Sequence, residues 1–141
     1  MKKPLETARR WLAQAEHSLM TTSSLLQIGL WADACFHAEQ TAQLALKAYL
    51  FSRGRRYVNI HSVRELASQS STEEAEFSPF VEYGMVLDRY YLATRYPDVL
   101  PAPALPFESF TEQESRQAAG YAKEMVELVR VKVPADSSSA P

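Results

Sequence analysis

The stretch Trp31-Ala32-Asp33-Ala34-Cys35-Phe36-His37-Ala38-Glu39-Gln40-Thr41-Ala42-Gln43-Leu44-Ala45-Leu46-Lys47-Ala48-Tyr49-Leu50 decides the fold. It contains no glycine and no proline. Trp31, Ala34, Cys35, Ala38, Ala42, Ala45 and Tyr49 recur at steps of three and four, the period of one helix face. The spacing predicts a helix from Trp31 to about Phe51, ended by Gly54. Alanine along that face lets a second helix approach closely.

Upstream, Leu5, Ala8, Leu12, Ala15, Leu19 and Leu26 keep the same spacing, with Thr22 filling one step. A first helix is predicted from Pro4 to Ile28. Pro4 suits the first turn, where its missing N–H costs nothing, and Gly29 suits the position just past the end. Two long helices joined by so short a link form an antiparallel hairpin.

Downstream comes a basic loop with Arg53, Arg55 and Arg56. Ser62 with Glu65 then reads as a capping box for a short helix from Val63 to Ala67 or Ser70. Polar, acidic Ser68–Glu76 reads as a loop or frayed turn. Ser78 as N-cap and Pro79 as first residue open a helix to about Ala93, with Phe80, Tyr83, Leu87, Tyr90 and Tyr91 on its apolar stripe. Gly84 inside it costs roughly 1 kcal/mol against alanine and hints at a close contact. Thr94–Phe110 carries Pro97, Pro101, Pro103 and Pro106 and is irregular; so long a loop is often functional. Thr111 with Glu114 caps a last helix to about Val131, with Ala118, Ala122, Met125 and Val129 in its stripe. Residues 134–141 read as a disordered tail. The sum is all-α: an up-down four-helix bundle in one domain, 1–133, with one additional short helix and a long proline-rich loop before the last helix.

Composition agrees. Among 141 residues, 19 alanines and 15 leucines face 9 valines and 2 isoleucines, with 4 glycines and 1 asparagine. That balance disfavours sheets and tight hairpins. A single cysteine excludes an internal disulfide framework and a cysteine-rich zinc site. A net charge of −2 argues against bulk nucleic-acid binding, and no DNA partner is expected. With no signal-peptide pattern and no apolar run long enough for a span, the expectation is a cytoplasmic protein without membrane contact.

Chemistry-bearing residues are few. Phosphate-binding loops and nucleophile elbows are absent from the sequence. His17, His37 and His61 lack metal-ligand spacing, so no metal, cofactor or catalytic residue is assigned. Cys35, on the alanine face, reads as a buried thiol. The richest string is Asp88-Arg89-Tyr90-Tyr91-Leu92-Ala93-Thr94-Arg95-Tyr96-Pro97-Asp98. Asp88, Tyr91 and Arg95 share a helix face, Arg95 offers a planar fork for phosphate or carboxylate, and Tyr91 or Tyr96 could stack on a base. A structural Asp88–Arg95 or Arg95–Asp98 pair is the alternative. Lys47, Arg53, Arg55 and Arg56 form a second basic patch, either complementing a helix dipole or lining a phosphate site.

The run from Trp31 to Leu50 resembles the second helix of HEPN domains. Ala8-x-x-Trp11-Leu12-x-x-Ala15, His61-Ser62, Leu87-Asp88-x-x-Tyr91-x-x-Thr94-Arg95-Tyr96-Pro97-Asp98 and Phe110-Thr111-Glu112 match in order and spacing, covering about residues 5–130. The resemblance implies a small helical bundle, commonly a prokaryotic homodimer. It also implies pairing with a nucleotidyltransferase-fold protein in toxin–antitoxin-like modules. Some such proteins bind nucleotides, and others are metal-independent ribonucleases with a histidine after four to six residues beyond an arginine. Here Leu100, Pro101 and Ala102 stand at those positions after Arg95. Arg55 and Arg56 have that spacing to His61 in another segment. Gln43-Leu44 stands where a Glu-Lys pair is frequent. The expectation is a non-catalytic module that binds a nucleotide, RNA or a partner protein through Arg95, Tyr96, Asp98, Tyr91, Asp88, His37, Lys47 and His61. A ribonuclease and a purely structural dimeric subunit are the alternatives.

Overall fold

In the computed structural model, which describes residues 3–135, the helix Trp31–Ser52 is covered on nearly every side. We call it α2. Fifteen of its 22 residues are buried, too many for a helix with one wet face. Around it lie α1 (Pro4–Gln27), α3 (Val63–Glu73), α4 (Pro79–Leu87), α5 (Tyr90–Ala93) and α6 (Glu112–Lys132). α2 packs against all five, and α6 closes the bundle by also meeting α1. Ala34, Ala38, Ala42, Ala45 and Ala48 are fully buried, so small side chains hold α2 close to its neighbours. No strand occurs among the described residues.

The ends follow their local chemistry. Gly29 and Gly54 adopt φ of +77° and +93°, the left-handed conformation that stops α1 and α2. Thr111 and Glu114 form a complete reciprocal capping box on α6. Ser62 caps α3 by accepting from the Glu65 N–H. Ser78 departs from expectation: it is already helical, and its hydroxyl donates to the Ala75 carbonyl instead of capping α4.

Three other differences have clear causes. α3 runs on to Glu73 through the expected loop, because Ser70, Ser71 and Thr72 satisfy their hydroxyls on carbonyls of the preceding turn and Ser70 is fully buried. A 3-10 turn, Ala75–Phe77, then buries Phe77. The helix expected from 79 to 93 is two helices, because three-residue hydrogen bonds tighten the chain at Asp88 and Arg89. The proline-rich loop is irregular apart from 3-10 turns at Pro97–Val99 and Pro106–Glu108, and its Ala102–Pro103 peptide is cis. Of the expected tail, Pro134 and Ala135 are held by Arg9, which donates to both carbonyls; the rest lies outside the described residues.

Gly84 shows why α3 and α4 lie so close. A Cβ at this position would come within 2.5 Å of the Arg64 N, 2.6 Å of its Cα and 2.8 Å of the Val63 carbonyl carbon, all backbone atoms. Gly120, on α6, has nothing within 4 Å of a Cβ. Gly84→Ala is therefore expected to destabilise the protein by roughly 1–3 kcal/mol or more, through overpacking. Gly120→Ala is expected to stabilise it by roughly 0.5–1 kcal/mol. Urea unfolding of both variants checks the contrast.

Candidate functional site

Arg95 lies two residues beyond α5 and returns its side chain along that helix. Its Nε and Nη2 donate to the Tyr91 carbonyl at 3.1 and 2.6 Å. Three rings then surround the guanidinium: Phe36 at 4.3 Å from Cζ to ring centroid, Tyr96 at 4.8 Å and Tyr91 at 5.1 Å. Arg95 remains exposed and makes no ion pair among the described residues. His61 lies parallel to Tyr91, with centroids 6.5 Å apart. Tyr90, by contrast, turns into the core beside Phe110, and Thr94 is buried with its hydroxyl on the Tyr90 carbonyl. These anchors fix where Arg95 begins.

Neither expected carboxylate pairs with Arg95. Asp88 accepts from the Ser62 hydroxyl at 2.7 Å, the Val63 N–H at 2.6 Å and the Arg64 N–H at 3.3 Å. Those N–H groups belong to the first turn of α3, which has no internal acceptors for them and carries the positive end of the helix dipole. Asp88 is thus a clamp between two helices. Asp98 lies exposed in the 97–99 turn with no side-chain partner among the described residues.

Two residues at the site belong to no motif in the sequence. Phe36 forms one wall, and Glu39 lies one turn further along α2, completely buried. Its carboxylate accepts from Gln40 Nε2 at 2.7 Å and from Gln43 Nε2. Burial pushes the Glu39 pKa up to about 7; the two amides and the Arg95 charge oppose that rise, and Asp88 adds to it. A lone carboxylate between Ala38 and Ala42 was the available clue.

The remaining candidates separate. His37 meets Phe36 edge-on at 5.4 Å, and burial lowers its pKa. Lys47 does not join the site: its ammonium sits 5.7 Å from the centroid of Trp11, almost three turns further along α2. Arg55 reaches Gln69 and Glu73 at the far end of α3, whereas His61 precedes its start, so Arg55 and His61 do not form a pair. Cys35 is buried, and desolvation pushes its thiol up to about 12, leaving it un-ionised at neutral pH. Among the described residues, no three His, Cys, Asp or Glu side chains converge on a metal position. No helix among them is long and apolar enough to cross a membrane.

Comparison with known proteins adds three findings. The sequence profile of the HEPN domain matches residues 8–132. The crystal structure of a Thermus thermophilus protein is similar at 36% identity and a TM-score of 0.78, over 89% of this chain and 97% of that one. An archaeal HEPN homologue shares the fold at 24% identity and a TM-score of 0.70, over 95% of this chain and 100% of its own. No curated protein matches the sequence.

The buried Glu39 and the half-buried Asp88 have measurable consequences. Glu39 holds its proton more tightly in the folded chain than in the unfolded one, where its pKa is near 4.5. Stability is then greatest below the lower value, falls as pH rises towards 7, and levels off above it. Glu39→Gln is expected to raise the melting temperature at pH 8 and to leave it nearly unchanged at pH 5. Melting curves across that range check it; parallel curves for the two proteins would overturn it. Asp88→Ala is expected to cost about 1–2 kcal/mol by uncapping α3. Denaturant unfolding measures the loss, and increased amide exchange at Val63 and Arg64 locates it.

Proposed function

We propose, from the premise that this chain belongs to the HEPN domain family, that it is a non-catalytic module which docks a partner protein through the surface running from Tyr91 to Phe107. The observation that carries this reading is the composition of that segment. Leu92, Tyr96, Val99, Leu105 and Phe107 are five of the eleven large apolar residues exposed among the described residues, and they share this segment with an exposed arginine that has no carboxylate partner among them. Tyrosine, phenylalanine and arginine are the side chains that dominate protein interfaces. Four prolines stiffen the segment before any partner arrives, which lowers the cost of ordering it on binding.

The proposed partner is a nucleotidyltransferase-fold protein, as the family resemblance implies for toxin–antitoxin-like modules. Its contribution at the centre of the contact is a carboxylate that takes the outer edge of Arg95. The Tyr91 carbonyl already fixes the inner edge, so less rotamer entropy remains to be lost. A non-catalytic role is supported by the sequence after Arg95, where Leu100, Pro101 and Ala102 stand at the positions a histidine would occupy.

Co-purification with the protein encoded beside this chain, combined with light scattering, tests the reading. Arg95→Ala and Phe107→Ala are each expected to weaken the complex by about tenfold or more, as central interface residues do. A complex indifferent to both substitutions would sink the proposal. A homodimer sensitive to both would reassign the surface to self-association.

A further inference from the structure

At the other end of α2, the first turns of α1 and the chain leaving α2 enclose a groove of about 620 Å³. Phe36 and Phe51 lie far apart on one helix, so roughly 22 Å separates this groove from Arg95. Its apolar part is aromatic. Trp11 and Phe51 pack with ring centroids 5.2 Å apart and planes tilted by 48°, and Pro4 and the 85% exposed Tyr57 extend the lining. The Lys47 ammonium lies over the Trp11 ring, 5.7 Å from its centroid. With Lys47 over Trp11 and Phe51 tilted against it, the two rings form an uneven trough instead of a parallel slot for a flat ring.

This end of the bundle is positive, although the chain carries a net charge of −2. From Gln40 to Arg64 the sequence contains no carboxylate, and Lys47, Arg53, Arg55 and Arg56 fall in that run. Glu73 of α3 pairs with Arg53 and Arg55. Arg56 is exposed and makes no ion pair among the described residues. Lys47 makes none either, although it is only 7% exposed. The last carbonyls of α2, which would repel an anion, are already taken by the N–H groups of Arg53, Gly54 and Arg55. Across the groove, the first turn of α1 has no side-chain cap and carries one carboxylate, Glu6.

We propose that this groove docks an extended, acidic, proline-containing segment of a partner protein, with prolines on Trp11, Phe51 and Tyr57 and a carboxylate on Arg56. Pyrrolidine rings and aliphatic side chains fill an uneven aromatic trough without needing a parallel face. The extended proline helix is preformed, so little entropy is lost when it docks on aromatic rings. Charge complementarity supplies the acidic half: an unpaired guanidinium takes a carboxylate through two parallel N–H bonds, and the surrounding cations favour negative charge on the segment. The groove shares no residue with the surface from Tyr91 to Phe107, so the two readings stand or fall separately.

The test is a fluorescence titration of the full chain carrying Trp31→Phe, which leaves Trp11 as its one tryptophan. The probe is a blocked peptide of sequence Pro-Leu-Pro-Glu-Glu-Pro-Leu-Pro. Saturable binding with a Kd on the order of 10–100 μM is expected, as for a small, transient contact. Replacing the peptide's glutamates by lysine, or its prolines by glycine, is expected to weaken it by about tenfold or more. Tyr57→Ala removes an exposed ring without touching the core, so a loss of roughly fivefold or more is expected with an unchanged melting curve. In Arg56→Glu the preference is expected to reverse, with the lysine peptide binding more tightly than the acidic one, a result that loss of folding would not produce. Arg95→Ala is expected to bind as the unaltered protein does. Absence of binding at millimolar peptide, equal binding of the acidic and lysine peptides, or an unchanged preference in Arg56→Glu would overturn the proposal. Binding of a single-stranded oligouridylate more tightly than the peptide, lost in Arg56→Glu, would overturn it in favour of a nucleic-acid surface.

Discussion

Burial of α2 by helices on nearly every side is the constraint on which the rest of the molecule depends. A central helix can be surrounded this closely only if much of its surface is small, and five fully buried alanines supply that surface. Bulk is then delivered by the neighbours and by a few large residues towards the end of α2, Leu46, Tyr49 and Leu50. Polar residues on α2 must be satisfied from within. Thr41 donates its hydroxyl to the His37 carbonyl and accepts from the Ser18 hydroxyl across the α1–α2 contact. Glu39 is satisfied by two amides on its own helix.

Where α3 meets α4, two residues four apart work together. Gly84 lets the backbones touch, and Asp88, one turn later, delivers its carboxylate to the open N–H groups of α3. The chain tightens at that point, α4 ends, and α5 begins with Tyr90 buried and Tyr91 half-buried. Arg95 then turns back onto the Tyr91 carbonyl. Asp88 and Arg95 are each occupied elsewhere, Asp88 on α3 and Arg95 on the Tyr91 carbonyl.

Arg95 is consequently held by a carbonyl and three aromatic rings, an arrangement that orients the guanidinium without neutralising it. Such a cation contributes little to folding compared with a buried pair, but it is poised for an external anion. The far end of α2 repeats the logic in a different form. Lys47 rests on Trp11, and Arg56 extends into solvent beside an uncovered tyrosine. Membership of the HEPN family accounts for the fold that presents these groups.

Much of this was legible from residues alone, because the signals are local. Helical periodicity located α1, α2 and α6 to within a residue or two, and glycine and capping residues located their ends. The tight contact at Gly84, the inert thiol of Cys35 and the irregular proline segment were also readable. The charged and aromatic character of the string around Arg95 was legible, but its partners were not. Tertiary structure alone decided that Asp88 serves α3, that Phe36 rather than Asp98 faces Arg95, that Lys47 lies at the opposite end, and that Glu39 is sealed from water. The physical reason is range: periodicity and capping are set by backbone hydrogen bonds within four residues, whereas these pairings depend on the rotation of one packed helix against another.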